Sequence, residues 1–213
     1  LGVVALVAVL AALGLANAGD DASTGTTTNT TAAAAPDPGD GSTPTSTGTS
    51  TTGSTVPRTT ASTAPDGPRP AGVPGDWVRY ADEEVGYTVW HPPSWRPQSR
   101  GGSATDLVDP ATGDYLRVDY VETPGDDPEE AWHDASDSFA ERYDDYEEIR
   151  IEETEYQGFP AAIWEYTYQG QHATNLGIVT DDYGFALNFQ TAEARWDDRQ
   201  DLRRAFEAGF EIP

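Results

Sequence analysis

The chain has 213 residues, a formal net charge of −25 and no cysteine. Its basic residues are all arginine. Such an acidic chain repels nucleic acid and anionic lipid headgroups, and the lack of cysteine excludes disulfides, thiol catalysis, Cys-ligated zinc and lipid attachment through an N-terminal Cys.

Composition divides the sequence into three parts. Leu1–Ala18 (LGVVALVAVLAALGLANA) carries no charge. It reads as a transmembrane helix or signal-anchor that continues upstream, since about 20 apolar residues are needed to span a bilayer. Ala16-Asn17-Ala18 also fits a signal-peptide cleavage pattern. Either reading puts the rest of the chain outside the cytoplasm. The first residue is Leu and Met is absent, as expected of a piece of a longer protein. Residues 19–75 are rich in Thr, Ser, Pro, Gly and Ala and read as a disordered linker, ~40 Å from end to end as a flexible coil. Asn29-Thr30-Thr31 matches an N-glycosylation acceptor, although such a match arises readily in a Thr-rich run. All six Trp, six Phe and ten Tyr follow, so residues 76–213 are expected to form one domain with its own core.

Within that domain, Trp77–Tyr80 and Tyr87–His91 read as short strands, and Pro92-Pro93 stops the second. Trp95 is expected to plug one end of the core. Thr105–Asp109 and Tyr115–Val121 are strands around the turn Pro110–Asp114. A helix starts after Pro124–Asp127, with Asp126 or Asp127 as cap, Pro128 in its first turn and Glu129 and Glu130 at its positive end. Trp132, Ala135, Phe139 and Tyr143 form its apolar stripe. Tyr146–Gln169 alternates with period 2 around Gln157-Gly158, which predicts a β-hairpin in the middle of a sheet. Ala162, Trp164, Tyr166 and Tyr168 share one face of it. Ala173–Val179 and Phe185–Thr191 form a second hairpin across Asp181–Gly184. A second helix is expected over Arg195–Ala208, and Phe210 anchors the end. The order predicts an α+β fold: a mainly antiparallel sheet with two packing helices, preceded by an apolar helix and a linker.

Candidate chemistry is sparse. His91, His133 and His172 lie on different elements without zinc spacing. Ser94, Ser99, Ser103, Ser136 and Ser138 include no G-x-S-x-G elbow, and no phosphate-cradling loop with Lys occurs. The clusters Asp126–Glu130 and Asp144–Glu148 offer oxygen ligands for Ca²⁺ but do not match an EF-hand loop; helix capping and solvation explain the first and strand-edge charge the second. Trp90, Trp164, Tyr166 and Tyr168 read as core, with a sugar-stacking groove as the alternative. No catalytic, metal or cofactor residue is therefore assigned, and the ligand-binding residues stay open.

GYTVWHPPSW, DLVDP with YLRVDYV, DYEEIRIEETEYQGFPAAIWEYTY, HATNLGIVTDDYGFALNFQT and the closing helix with Phe-Glu-Ile-Pro resemble the C-terminal extracytoplasmic domain of actinomycete receptor-type serine/threonine protein kinases. The resemblance covers Asp76–Pro213. It implies a PsbP-like α/β/α sandwich, a membrane anchor through residues 1–18, a kinase upstream of Leu1 and a sensory or ligand-binding role. It also implies an envelope ligand or protein as partner, and dimerisation through the parent chain. It carries over no site residues or cofactors, and no HRD, DFG or VAIK pattern occurs in the chain. Absence of Cys departs from the envelope lipoproteins of similar fold. The alternatives are a secreted or anchored envelope binding protein without a kinase, and an envelope hydrolase.

Overall fold

The computed structural model describes residues 67–213. The apolar Leu1–Ala18 segment and most of the expected linker lie outside the described residues. Among the described residues no helix is long and apolar enough to cross a membrane.

Among the described residues, ten strands form two sheets. In chain order the strands are β1 (Val78–Ala81), β2 (Thr88–His91), β3 (Arg96–Gly101), β4 (Ala104–Val108), β5 (Tyr115–Val121), β6 (Glu147–Tyr156), β7 (Phe159–Tyr168), β8 (Gln171–Val179), β9 (Gly184–Ala192) and β10 (Phe210–Glu211). The α-helices among the described residues are α1 (Pro128–Ala140) and α2 (Gln200–Ala208). The larger sheet runs β3-β4-β5-β9-β8-β7-β6 and the smaller β1-β2-β10. Every pairing is antiparallel.

Tight turns set this topology. The β6–β7 and β7–β8 hairpins close through Gln157-Gly158 and Gln169-Gly170, with positive φ at all four residues. That is the I′ pattern, whose twist matches the strands it joins. The hairpin Tyr146–Gln169 does not lie mid-sheet as expected: β6 is the outer strand. Its sequence EEIRIEETEY is almost all exposed or half-buried, and its register shifts between Glu148 and Arg150. Charge and a bulge are both means of protecting a free edge from further pairing. The strand β3 was not expected at all, because RPQSRG has neither alternation nor β-branched residues.

Two cores flank the large sheet. On one side, Leu107, Leu116, Val118, Leu176, Ile178, Phe185, Leu187 and Phe189 meet the small sheet and α2 through Tyr87, Val89, Trp90, Phe206 and Phe210. Trp95 packs against Phe206 there, their ring centroids 5.0 Å apart. On the other, Ala162, Trp164, Tyr166, Tyr168, Ala173 and Ala186 meet Trp132, Ala135 and Phe139 of α1. Alternation along β7, β8 and β9 feeds both cores at once, because successive side chains point to opposite faces. The result is a helix–sheet–mixed layer sandwich.

Helix α1 starts as expected. Asp127 accepts the N–H groups of Glu129 and Glu130 at 2.9 and 3.0 Å, and Pro128 stands in the first turn. The second helix is shorter than expected. Two 3-10 turns, Glu193–Arg195 and Asp197–Arg199, precede α2. Packing also begins before Asp76: Val73 is in the core, and Arg69 lies 4.4 Å over the Trp90 ring. Arg69 donates to the carbonyls of Pro74 and Trp77, so this arginine ties down a stretch whose Pro/Gly composition resembles linker.

Gly177 fixes how closely α1 approaches. A Cβ there would stand 2.7–2.8 Å from the Trp132 indole, and Trp132 Nε1 donates to the carbonyl of Ala162 at 3.0 Å. Gly177→Ala is expected to lower stability by about 1–3 kcal/mol through overpacking, measured by urea denaturation. Phe139→Ala is expected to cost about 3–5 kcal/mol in the same assay.

Candidate functional site

The sheet face that carries α1 is polar where the helix does not lie. Helix α1 packs chiefly on β6, β7 and β8. Register places Asp106 of β4 opposite Arg117 of β5, Arg117 opposite Asn188 of β9, and Asn188 opposite Asn175 of β8. Opposed residues share a face, so these four side chains form one row across four strands. All four are buried. Asn175 stands opposite Trp164 of β7, which places the row on the α1 side.

The row is tied together at its β4–β5 end. Arg117 Nε donates to Asp106 Oδ1 at 2.6 Å, and its Nη2 to Oδ2 at 3.1 Å. Arg100 Nε of β3 donates to Oδ2 at 2.5 Å. Nearby, Asp119 accepts from Ser103 Oγ at 2.5 Å and from the Tyr120 N–H at 2.9 Å. Burial outweighs these bonds and raises the Asp119 carboxyl above its usual range. In the next row, the hydroxyls of Tyr115 and Tyr168 both donate to Gln190 Oε1, at 2.8 and 2.9 Å. Burial pushes the Tyr168 phenol up to about 12, so it stays a neutral donor. The buried Asp106–Arg117 ion pair adds little net stability, but removal of one partner costs about 3–5 kcal/mol.

Two further clusters pin the 3-10 turns. His172 of β8 is buried with Nε2 2.9 Å from Glu165 Oε1 and Nδ1 2.7 Å from Glu193 Oε2. Its ring stacks on Trp196, with centroids 3.6 Å apart and planes 7° from parallel. A neutral imidazole has one N–H only, so both contacts are donor bonds only when both nitrogens carry protons. Arg150 Nε of β6 donates to Glu165 Oε2 at 2.8 Å. Asp114, buried at the start of β5, accepts from Thr191 Oγ1 at 2.9 Å, Arg195 Nη2 at 2.5 Å and Arg199 Nε at 2.9 Å.

Residues 72–212 match the family described as serine/threonine kinase C-terminal domain. The chain belongs to the serine/threonine kinase C-terminal domain family. This is the non-catalytic part of such kinases. No curated protein matches the chain. Among solved structures, the cyanobacterial PsbP protein CyanoP of Synechocystis sp. PCC 6803 is similar at 21% identity and a TM-score of 0.53, over 65% of this chain and 93% of that one. That likeness shows a PsbP-like fold. LpqN, involved in cell envelope biogenesis of Mycobacterium tuberculosis, gives 16% identity and a TM-score of 0.45 over 67% of this chain and 88% of its own.

The kinase C-terminal domain disperses most of the candidates that its sequence offers. His91 is buried on β2 and burial lowers its pKa; His133 is exposed on α1; only His172 joins a cluster. Ser136 bonds to the Tyr146 hydroxyl and to Glu148, and Ser138 donates to the Asp134 carbonyl. Among the described residues none of the five serines is hydrogen-bonded to a histidine. Asp127 of the first acidic cluster caps α1, and Asp145 of the second accepts from the Gln169 N–H at 2.8 Å. Among the described residues no three His, Asp or Glu side chains are placed to hold a metal ion. Trp90, Trp164, Tyr166 and Tyr168 are buried, the last three beneath α1. A pocket of about 380 Å³ opens at one end of the sheet, between Glu122–Asp126, Phe159, Pro160 and the β8–β9 turn.

Sequence reading did not single out Asn175, Asn188, Gln190, Arg117 or Asp106. Their signal was present on β5 and β9, where Arg117, Asn188 and Gln190 alternate with Leu116, Val118, Phe185, Leu187 and Phe189.

Acid should loosen this domain first at the 3-10 turns. Burial works against the Asp114 carboxylate, yet the Arg195, Thr191 and Thr112 hydrogen bonds hold it below its ordinary value. Glu165 is likewise lowered, by His172 foremost, against burial and with help from Arg150. Both are depressed in the folded state, so their stabilisation is complete above the unfolded carboxylate pKa of about 4 and fades as pH falls through the folded values. Urea midpoints are expected to drop on acidification below about pH 4, and Asp114→Asn to flatten that limb.

Proposed function

We propose that this chain is the sensory, ligand-binding end of a single-span membrane protein whose upstream part is a serine/threonine protein kinase. The observation that carries the reading is the family match over residues 72–212. The order of the sequence supports it: an uncharged apolar run at Leu1–Ala18, a Thr/Pro/Gly-rich stretch, then the domain. In this reading the domain stands outside the cytoplasm. A ligand or envelope protein that binds it favours one arrangement of the parent chains over another by its differential affinity. A linker of that composition and length transmits torque poorly, so the signal acts through proximity of the kinases.

Two measurements test this. The reading frame upstream of Leu1 is expected to encode a kinase domain, and its absence would sink the kinase part. Topology is open to a direct probe because the chain has no cysteine. Asp182→Cys, at an exposed position of the β8–β9 turn, is expected to react with a membrane-impermeant maleimide on intact cells. Labelling only after lysis would place the domain inside.

A further inference from the structure

His172 is a buried imidazole with a carboxylate at each nitrogen. Its side chain is 6% exposed; Glu165, at Nε2, is 13% exposed, and Glu193, at Nδ1, is 54% exposed. Both contacts, 2.9 and 2.7 Å, are of hydrogen-bond length. An ionised carboxylate only accepts, and a neutral imidazole carries one N–H. The cluster is therefore fully bonded only as an imidazolium between two carboxylates. The ring also stacks on Trp196, and the face of an indole attracts a cation.

Each element packed on the ring contributes in a defined way. On β7, Glu165 bonds to it and Thr167 stands opposite. On β9, Thr191 stands opposite, and its hydroxyl bonds to Asp114, which also holds Arg195 and Arg199. From β6, Arg150 bonds to the other oxygen of Glu165 and to Glu152. The first 3-10 turn supplies Glu193, and Trp196 ends it. Glu165 thus has an arginine besides the histidine. Among the described residues, His172 is the one side chain bonded to Glu193.

The two bonds fare differently when the ring loses a proton. A carboxylate short of a donor costs more when it is buried than when water replaces the donor. The remaining N–H therefore stays on Nε2, toward Glu165, and Glu193 turns to solvent. The Glu193 N–H still donates to the Gly170 carbonyl at 2.9 Å, so the change is a local opening rather than unfolding. Imidazole is the side chain whose charge ordinarily changes between about pH 5 and 8.

We propose that His172, Glu165, Glu193 and Trp196 form a pH-sensitive clasp, which holds the 3-10 turns while the ring carries both protons and releases its Glu193 end when the ring is neutral. The bonded form is the protonated one, so this contribution is present on the acid side of the imidazole titration and is lost as pH rises. Asp114 and Glu165 act in the opposite sense, since their depressed carboxylates lose their contribution in acid. The turns that lead from β9 into α2 are held most firmly between these two limits. The inference goes beyond the ligand-binding reading and does not rest on it.

The test is NMR of the imidazole nitrogens in the isotope-labelled 213-residue chain, which has three histidines, joined to amide hydrogen exchange at about pH 5.5 and about pH 8. Both His172 nitrogens are expected to carry protons at the lower pH, and Nε2 alone at the higher. Protection of residues 193–196, corrected for the intrinsic exchange rate, is expected to fall about tenfold at the higher pH, the loss of one charge-assisted hydrogen bond. Protection along β8 is expected to stay unchanged, which separates local opening from general loosening. Glu193→Gln is expected to remove the pH response, because a side-chain amide can turn over to donate to the neutral ring or accept from the charged one. An Nδ1 without a proton at the lower pH overturns the proposal. So does protection of residues 193–196 that ignores pH in the parent chain, or a pH response that survives in Glu193→Gln. Should the variant fail to fold, the parent's ring signals and exchange still decide the matter.

Discussion

Phe139 of α1 is wedged among five aromatic rings, those of Tyr143, Tyr146, Trp164, Tyr166 and Tyr168, with centroids 4.5–5.7 Å away. The rest of the α1 side depends on this contact. It sets the helix over β7, brings Trp132 down on Gly177, and lets Tyr146 span from the helix to the sheet by bonding Ser136 and Trp164. A single helix can cover only part of a seven-stranded sheet, because a helix is roughly 10 Å across while strands are about 4.8 Å apart. By seating α1 over the β6–β7–β8 edge, the aromatic cluster leaves β4, β5 and β9 to be filled in some other way.

The sequence fills that area with polar residues. On β5, Leu116 and Val118 face the larger core while Arg117 and Asp119 face the α1 side. On β9, Phe185, Leu187 and Phe189 alternate with Ala186, Asn188 and Gln190. Burial of polar groups is tolerable where they bond to one another, and Asp106 with its two arginines meets that condition. Asn175 and Asn188 do not: Oδ1 of each is buried without a partner, so one row has a satisfied and an unsatisfied end.

The opposite side of the sheet behaves as a scaffold. Two arginines on Asp114 and two glutamates on His172 clamp the 3-10 turns that lead from β9 to α2. Helix α2 then brings Phe206 between Trp77 and Trp95, and β10 closes the small sheet against β2. The C-terminal residues are thus tied to the first strands of the domain.

Composition and period were enough to separate an apolar head, a Thr/Pro-rich middle and one acidic domain, and to place α1 and most of the strands. These are local properties: period 2 or 3.6 and the capping residues act within one element. The motifs around EEIRIE and YQGFPAAIWEY also carried the family. Only the tertiary structure decided that the Tyr146–Gln169 hairpin forms an edge, that β3 exists, and that Arg69 and Val73 belong to the packed domain. Strand order is a long-range property, and the charged face of β6 reads equally well as a solvated face within a sheet. The polar row was beyond sequence reading for the same reason. Asp106, Arg117, Asn188 and Asn175 are separated by up to 82 residues in number, and only the registers of three antiparallel pairings set them side by side.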